Sequence, residues 1–126
     1  MRYLGIDYGS KRVGLALSDE GGTMAFPHKV LVNDARLLHE IVTEIETNGV
    51  EAVVIGHSLG RDGAPNEIHE AVESFITDLT LELPVPIHLE PEHYTTQEAI
   101  RFQGRNDKTD AAAAAIILNS FLTRQR

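Results

Sequence analysis

Apolar and polar positions alternate from the start of the chain. Tyr3-Leu4-Gly5-Ile6-Asp7-Tyr8 is a mostly apolar run closed by Gly9-Ser10, and Lys11 to Asp19 then alternates apolar with small or polar residues. A period of two on either side of a glycine turn predicts a β-hairpin. A third run follows Gly21-Gly22, so residues 2–8, 12–19 and 23–31 read as an antiparallel meander. Pro27 assigns the third strand to an edge, because proline has no N–H to give to a ladder.

From Asp34 the period lengthens. Leu37, Leu38, Ile41, Val42 and Ile45 mark one face of a helix that Asn48-Gly49 ends. Residues 50–56 are almost continuously apolar, as expected of a central strand covered on both faces. Beyond a glycine-containing loop from His57 to Ala64, Pro65 suits the first turn of a second helix, whose buried stripe is Ile68, Ala71, Val72, Phe75, Ile76 and Leu79. Pro84 and Pro86 bracket the entry to a strand at Val85 to Leu89, and Glu90-Pro91-Glu92-His93-Tyr94 reads as a polar loop. Thr95-Thr96-Gln97-Glu98 has capping-box spacing and predicts a helix start. A last helix is expected from about Thr109 to Leu122, with Asp107 as its cap. Its run Ala111 to Ala115 combines the best helix former with a side chain small enough for close approach to a sheet. The order β-β-β-α-β-α-β-α implies an α/β fold, a five-stranded mixed sheet with helices on both faces.

Composition narrows the chemistry. The 126 residues suit one domain, 1–126, long enough to bury roughly two-thirds of the surface of the unfolded chain. The absence of cysteine removes disulfides, thiolate metal sites and cysteine nucleophiles, and fits a reducing compartment. No apolar stretch is long enough to cross a bilayer and the first residues are a strand pattern rather than a leader, so a cytoplasmic protein is expected. The net charge of −8 argues at first against a nucleic-acid partner. Its distribution reverses that reading: residues 33–82 carry −9, mostly on the two middle helices, and the remainder carries +1. Lys11, Arg12, Arg101, Arg105 and Lys108 fall in that remainder as candidate phosphate contacts, Lys11, Arg12 and Arg105 foremost, although each serves equally as a solvated surface charge.

Three acids occupy special positions. Asp7 lies in an apolar strand, near the open end of the expected hairpin, where an ionised carboxylate is costly unless compensated. A bound cation compensates it, and so does ordinary turn capping beside Gly9. Asp110 falls in the first turn of the last helix, where the helix dipole alone favours an acid. Glu92 follows the last strand, where solvent exposure would explain it. The three converge if the last helix packs on the first strand and aims its first turn at the carboxyl ends of the parallel strands. Carboxylates without thiols select a hard ion, Mg2+ or Mn2+. Two such ions stabilise the attacking and leaving oxygens of an in-line phosphodiester displacement. His57 serves as a proton shuttle or as a hydrogen-bonded structural residue at a strand end, and Gly56-His57-Ser58 lacks the flanking pattern of a nucleophile elbow.

The opening Gly5 to Asp19 motif, with Val54-Ile55-Gly56, Asp62-Gly63, Glu92, Thr95-Thr96-Gln97-Glu98-Ala99 and Asp110-Ala111-Ala112-Ala113, resembles the YqgF family of RNase H-like nucleases across essentially the whole chain. The resemblance implies an RNase H-like fold and a metal-dependent nuclease for the 5′ end of precursor 16S ribosomal RNA, with Holliday junction resolution as the alternative activity. Nucleic acid and ribosomal precursors are the implied partners, and Asp7, Glu92 and Asp110 fall on the family's catalytic acids. Two segments depart from the pattern. Gly56-His57-Ser58-Leu59-Gly60-Arg61 stands where the family has glycine-leucine-proline and a small polar loop, and Pro91-Glu92-His93 where it has aspartate-glutamate-arginine. His93 replaces that arginine's charge only when protonated. The segment from Arg101 to Lys108 is also short for the family.

Two other classes compete. The Asp7-Tyr8-Gly9-Ser10 hairpin also resembles the phosphate-binding hairpin of the actin and sugar-kinase superfamily, which binds ATP between two such domains, and this chain has one such hairpin. The acidic middle and the missing arginine suit a non-catalytic module that binds RNA. Carboxylate sites hydrolyse RNA and DNA alike and no base-reading element is recognisable, so both substrates stay open at this point.

Overall fold

A computed structural model describes residues 1–9, 11–57, 67–91 and 107–125. Its elements are β1 (Tyr3–Tyr8), β2 (Arg12–Ser18), β3 (Ala25–Val32), α1 (Leu37–Asn48), β4 (Ala52–His57), α2 (Glu67–Glu82), β5 (Ile87–Pro91) and α3 (Asp107–Gln125). The five strands form one sheet in the order β3-β2-β1-β4-β5. The first three pair antiparallel, while β4 is parallel to both β1 and β5. The expected mixed sheet is therefore observed, and β3, with Pro27, is an edge strand as expected. The capping box at Thr95 to Glu98 lies outside the described residues.

Alternation along the central strands builds two cores. Leu4, Ile6, Val13, Leu15, Val53 and Ile55 face α1 and α2, meeting Leu37, Ile41, Ile45, Val72, Phe75 and Leu79. On the other face Ala16, Ala25 and Val54 meet α3 through Ala114, Ala115, Ile117, Leu118, Phe121 and Leu122. Helix α1 stops at Gly49, whose φ of 64° gives the left-handed cap, and Val50 N–H donates to the Ile45 carbonyl at 3.0 Å.

Helix α3 determines the site, and its small residues explain its closeness to the sheet. A Cβ at Gly5 would stand 2.8 Å from the Leu118 Cβ and 3.1 Å from the Ala114 carbonyl oxygen, so helix and strand approach almost backbone to backbone. The far end of the helix is fixed to the sheet by Phe121, which stacks at a tilt on Tyr3 and His88, and by the Asn119 side-chain oxygen, which accepts the Ala25 N–H at 2.9 Å.

Two elements differ from expectation in ways that bear on the site. Strand β5 begins at Ile87 rather than Val85 and runs through Glu90 to Pro91, so Glu90 is a strand residue and not part of a loop. The reason is a side-chain partner on α3: Glu90 is buried against Ser120 and Arg124. Helix α3 includes Asp107 as its first residue and extends three residues beyond Leu122. Among the described residues no helix is long and apolar enough to cross a membrane.

Candidate active site at the carboxyl edge of the sheet

Register places the first acid. Asp7 is paired with Gly14 of β2 on one side and Gly56 of β4 on the other, and Gly56 is paired with Glu90 of β5. Partners on one rung point to the same face, so Asp7 shares the α3 face with these residues. The next rung, Tyr8 with Val13, is the last before the turn. Asp7 thus stands at the closed end of the hairpin, correcting the expected open end. That closed end is also the edge where the parallel strands β1, β4 and β5 finish, the usual ligand edge of such sheets.

The second acid is seated on Gly14. A Cβ there would lie 2.0 Å from the carbonyl oxygen of Asp110 and 2.4 Å from its carbonyl carbon, so only glycine admits the first turn of α3 at this point. Gly14 is also the rung partner of Asp7, and such Cα atoms are about 5 Å apart across an antiparallel pair. Asp7 and Asp110 are brought together by the strand register on one side and by a missing side chain on the other. Each is only 4% exposed.

Two buried carboxylates anchored on neighbouring backbone repel and need a counter-charge. Arg12 supplies one: its Nε lies 2.8 Å from Oδ2 of Asp110, with the arginine side chain 36% exposed. Lys11 is exposed in the preceding bend. The turn is latched by Asn33, whose side-chain amide donates to the Gly9 carbonyl at 2.7 Å and whose backbone N–H donates to the Lys11 carbonyl at 2.9 Å. Glu92, His93, Arg101, Arg105 and Ser58 lie outside the described residues, as do the side chains of His57 and Lys108.

Sequence reasoning missed Glu90 and Arg124. Glu90 shares a rung and a face with Asp7, and its carboxylate accepts hydrogen bonds from Ser120 at 3.2 Å and from Arg124. Ser120 is ten residues, about 15 Å of helix, from Asp110, so this acid anchors the far end of α3. The available signal was the alternation His88, Glu90 within a strand, obscured by Pro91 and Glu92.

Among the described residues no group of three acids or histidines could hold a metal ion. The pair Asp7 and Asp110 offers only oxygen donors, and two carboxylates beside one guanidinium leave a negative charge, which fits a hard divalent cation that receives a further ligand from elsewhere in the chain.

The comparisons with known proteins bear on this edge. The family model of RuvX, described as Holliday junction resolvase, matches residues 1–124. This chain belongs to the RuvX family. Its RuvX relatives include proteins named "Putative pre-16S rRNA nuclease" from Nitratidesulfovibrio vulgaris and Anaplasma marginale. The first is 37% identical, covering 97% of this chain and 93% of the relative; the second is 34% identical, covering 96% and 83%. Among solved structures, RuvC of T. thermophilus in complex with a Holliday junction substrate has a TM-score of 0.67 at 17% identity, covering 99% of this chain and 96% of that one. The fowlpox virus resolvase with Holliday junction DNA has a TM-score of 0.62 at 10% identity, covering 99% of each chain. These likenesses show the RNase H-like fold, and the match to RuvX, the family also called YqgF, shows the resemblance read in the sequence. The RuvX chain is a nuclease, a hydrolase of phosphodiester bonds, and its partner is nucleic acid.

Proposed function

We propose that this RuvX protein, acting as one domain over residues 1–126, is a divalent-metal-dependent nuclease of the cytoplasm that processes the 5′ end of precursor 16S ribosomal RNA. The observation that carries this reading is the placement of Asp7 and Asp110, both buried where the first turn of α3 meets the edge at which the parallel strands end. The substrate is supported by the curated relatives, named for pre-16S rRNA.

Asp7 and Asp110 hold Mg2+ or Mn2+ with Glu92, which follows directly on Pro91 at the end of β5. When bound, the ions supply positive charge at the attacking and leaving oxygens of the phosphodiester. The chain's own contribution is position. The sheet fixes Asp7, the contact with Gly14 fixes Asp110, and burial keeps both oxygens from being screened by bulk water. Lys11 and Arg12 contact backbone phosphates beside the acids, and Arg105 does so from the segment before α3.

The test is a cleavage assay with Mg2+ or Mn2+ on 5′-extended 16S precursor RNA, four-way junction DNA and single strands. Metal-dependent shortening of the RNA at its 5′ end is expected. A second reading, junction resolution, is favoured by the description of the RuvX family. Resolution of the junction with the RNA left intact would replace the first reading by the second, and cleavage of none would leave a binding module.

A further inference from the structure

Arg12 was expected at a phosphate, yet its Nε is on the Asp110 carboxylate, 2.8 Å away. Arg12 opens β2 two residues before Gly14, so its side chain leaves the same face of the strand that seats Asp110. The pair crosses the boundary with solvent, the Asp110 side chain being 5% and the Arg12 side chain 36% exposed. A divalent ion at Asp110 competes with this guanidinium twice over. The Nε contact occupies Oδ2, one of the two oxygens a metal would use, and two cations drawn to one carboxylate repel each other.

We propose that Arg12 is a built-in counter-ion which holds Asp110 in place of the metal and transfers to a substrate phosphate once the metal is bound. The inference rests on the metal-dependent reading above. Without metal, Arg12 offsets the repulsion between Asp7 and Asp110 and keeps the first turn of α3 seated on Gly14. With metal, the guanidinium is released at the mouth of the site, where rotation about its own side-chain torsions redirects it without backbone movement. Metal and nucleic-acid backbone then favour each other's binding, and the coupling is reciprocal by linkage.

The experiment titrates Mn2+ by electron paramagnetic resonance of the free ion, with wild type and Arg12→Ala, alone and with a 2′-O-methyl RNA oligonucleotide that resists cleavage. Arg12→Ala is expected to bind Mn2+ about two- to fivefold more tightly than wild type without RNA, the range expected for loss of a partly exposed ion pair. Its metal-free form is expected to melt at a lower temperature and to gain more from Mn2+ than wild type does. The oligonucleotide is expected to raise Mn2+ affinity in wild type and to raise it less in the variant. Arg12→Gln keeps a hydrogen-bond donor while dropping the charge, and gives the same ranking should alanine prevent folding. Equal or weaker Mn2+ affinity in a folded variant overturns the inference and leaves the metal-dependent reading standing. Absence of Mn2+ binding by wild type overturns both.

Discussion

Glu90 is buried while its partner Arg124 keeps 55% of its side chain in solvent, so the two sides of this ion pair respond differently to mutation. Removing Arg124 strands a buried carboxylate. Arg124→Ala is expected to cost about 2–3 kcal/mol in urea denaturation, below the full cost of breaking a wholly buried pair because the arginine is already half hydrated. Two other acids contribute to the response to low pH. Hydrogen bonds from the Thr23 hydroxyl and the Thr23 and Met24 backbone N–H groups hold Asp19 down at about 2 from 3.8. For Glu44, burial raises the pKa, but hydrogen bonds and charge from Lys29 and His28 outweigh it and the net shift is downward. A depressed folded-state pKa means that the unfolded chain binds the proton first, so the stabilisation is complete above the ordinary carboxylate range and is lost as pH falls through the folded value. Denaturation followed from pH 5 to pH 2 is expected to show stability falling across that window, and Asp19→Asn to flatten its lower part. Asp7 was legible in the sequence because an acid in an apolar strand breaks the pattern. Arg124 was not, because an arginine near a helix end looks like any solvated charge until β5 is seen beneath it.

Helix α3 reads as a helix from its alanines, but what it does depends on two glycines that sequence pattern treats alike. A Cβ at Gly14 meets the Asp110 backbone at 2.0 Å, whereas a Cβ at Gly56 meets the end of the Ile117 side chain at 2.4 Å. Backbone cannot yield as a methyl group can. Gly14→Ala is therefore expected to cost about 2–3 kcal/mol, to lift the first turn of α3 and to weaken Mn2+ binding. Gly56→Ala is expected to cost less and to leave Mn2+ binding nearly intact, which isothermal titration of the two variants checks. The strand periods, the Pro27 edge, the Gly49 cap and the stripe of α1 were all legible, since each is a local preference or a period. The run of β5 through Glu90 was not, because it depends on a contact thirty-four residues distant. The place of Asp7 in the hairpin was not legible either: alternation alone suggested the open end, while the pairing sets the acid one rung from the turn.

Seen together, the two faces of the sheet divide charge from chemistry. Helices α1 and α2, which carry most of the acidic excess, cover the face opposite Asp7 and Asp110. A negative chain can therefore meet a polyanion from its α3 side, where Arg12 stands and bound cations would add positive charge. The convergence of Asp7 and Asp110 was foreseeable from topology, since a last helix packed on the first strand aims at the carboxyl edge. The Arg12 contact was not, because no period or motif states which anion a cation will meet. The direct test of the account is metal-dependent cleavage of 5′-extended 16S precursor RNA by wild type and by Asp7→Asn, with folding of both verified by circular dichroism. The account predicts that the folded variant loses cleavage by on the order of a thousandfold or more in Mg2+ and in Mn2+ alike. A folded Asp7→Asn protein that cuts at a wild-type rate would contradict it.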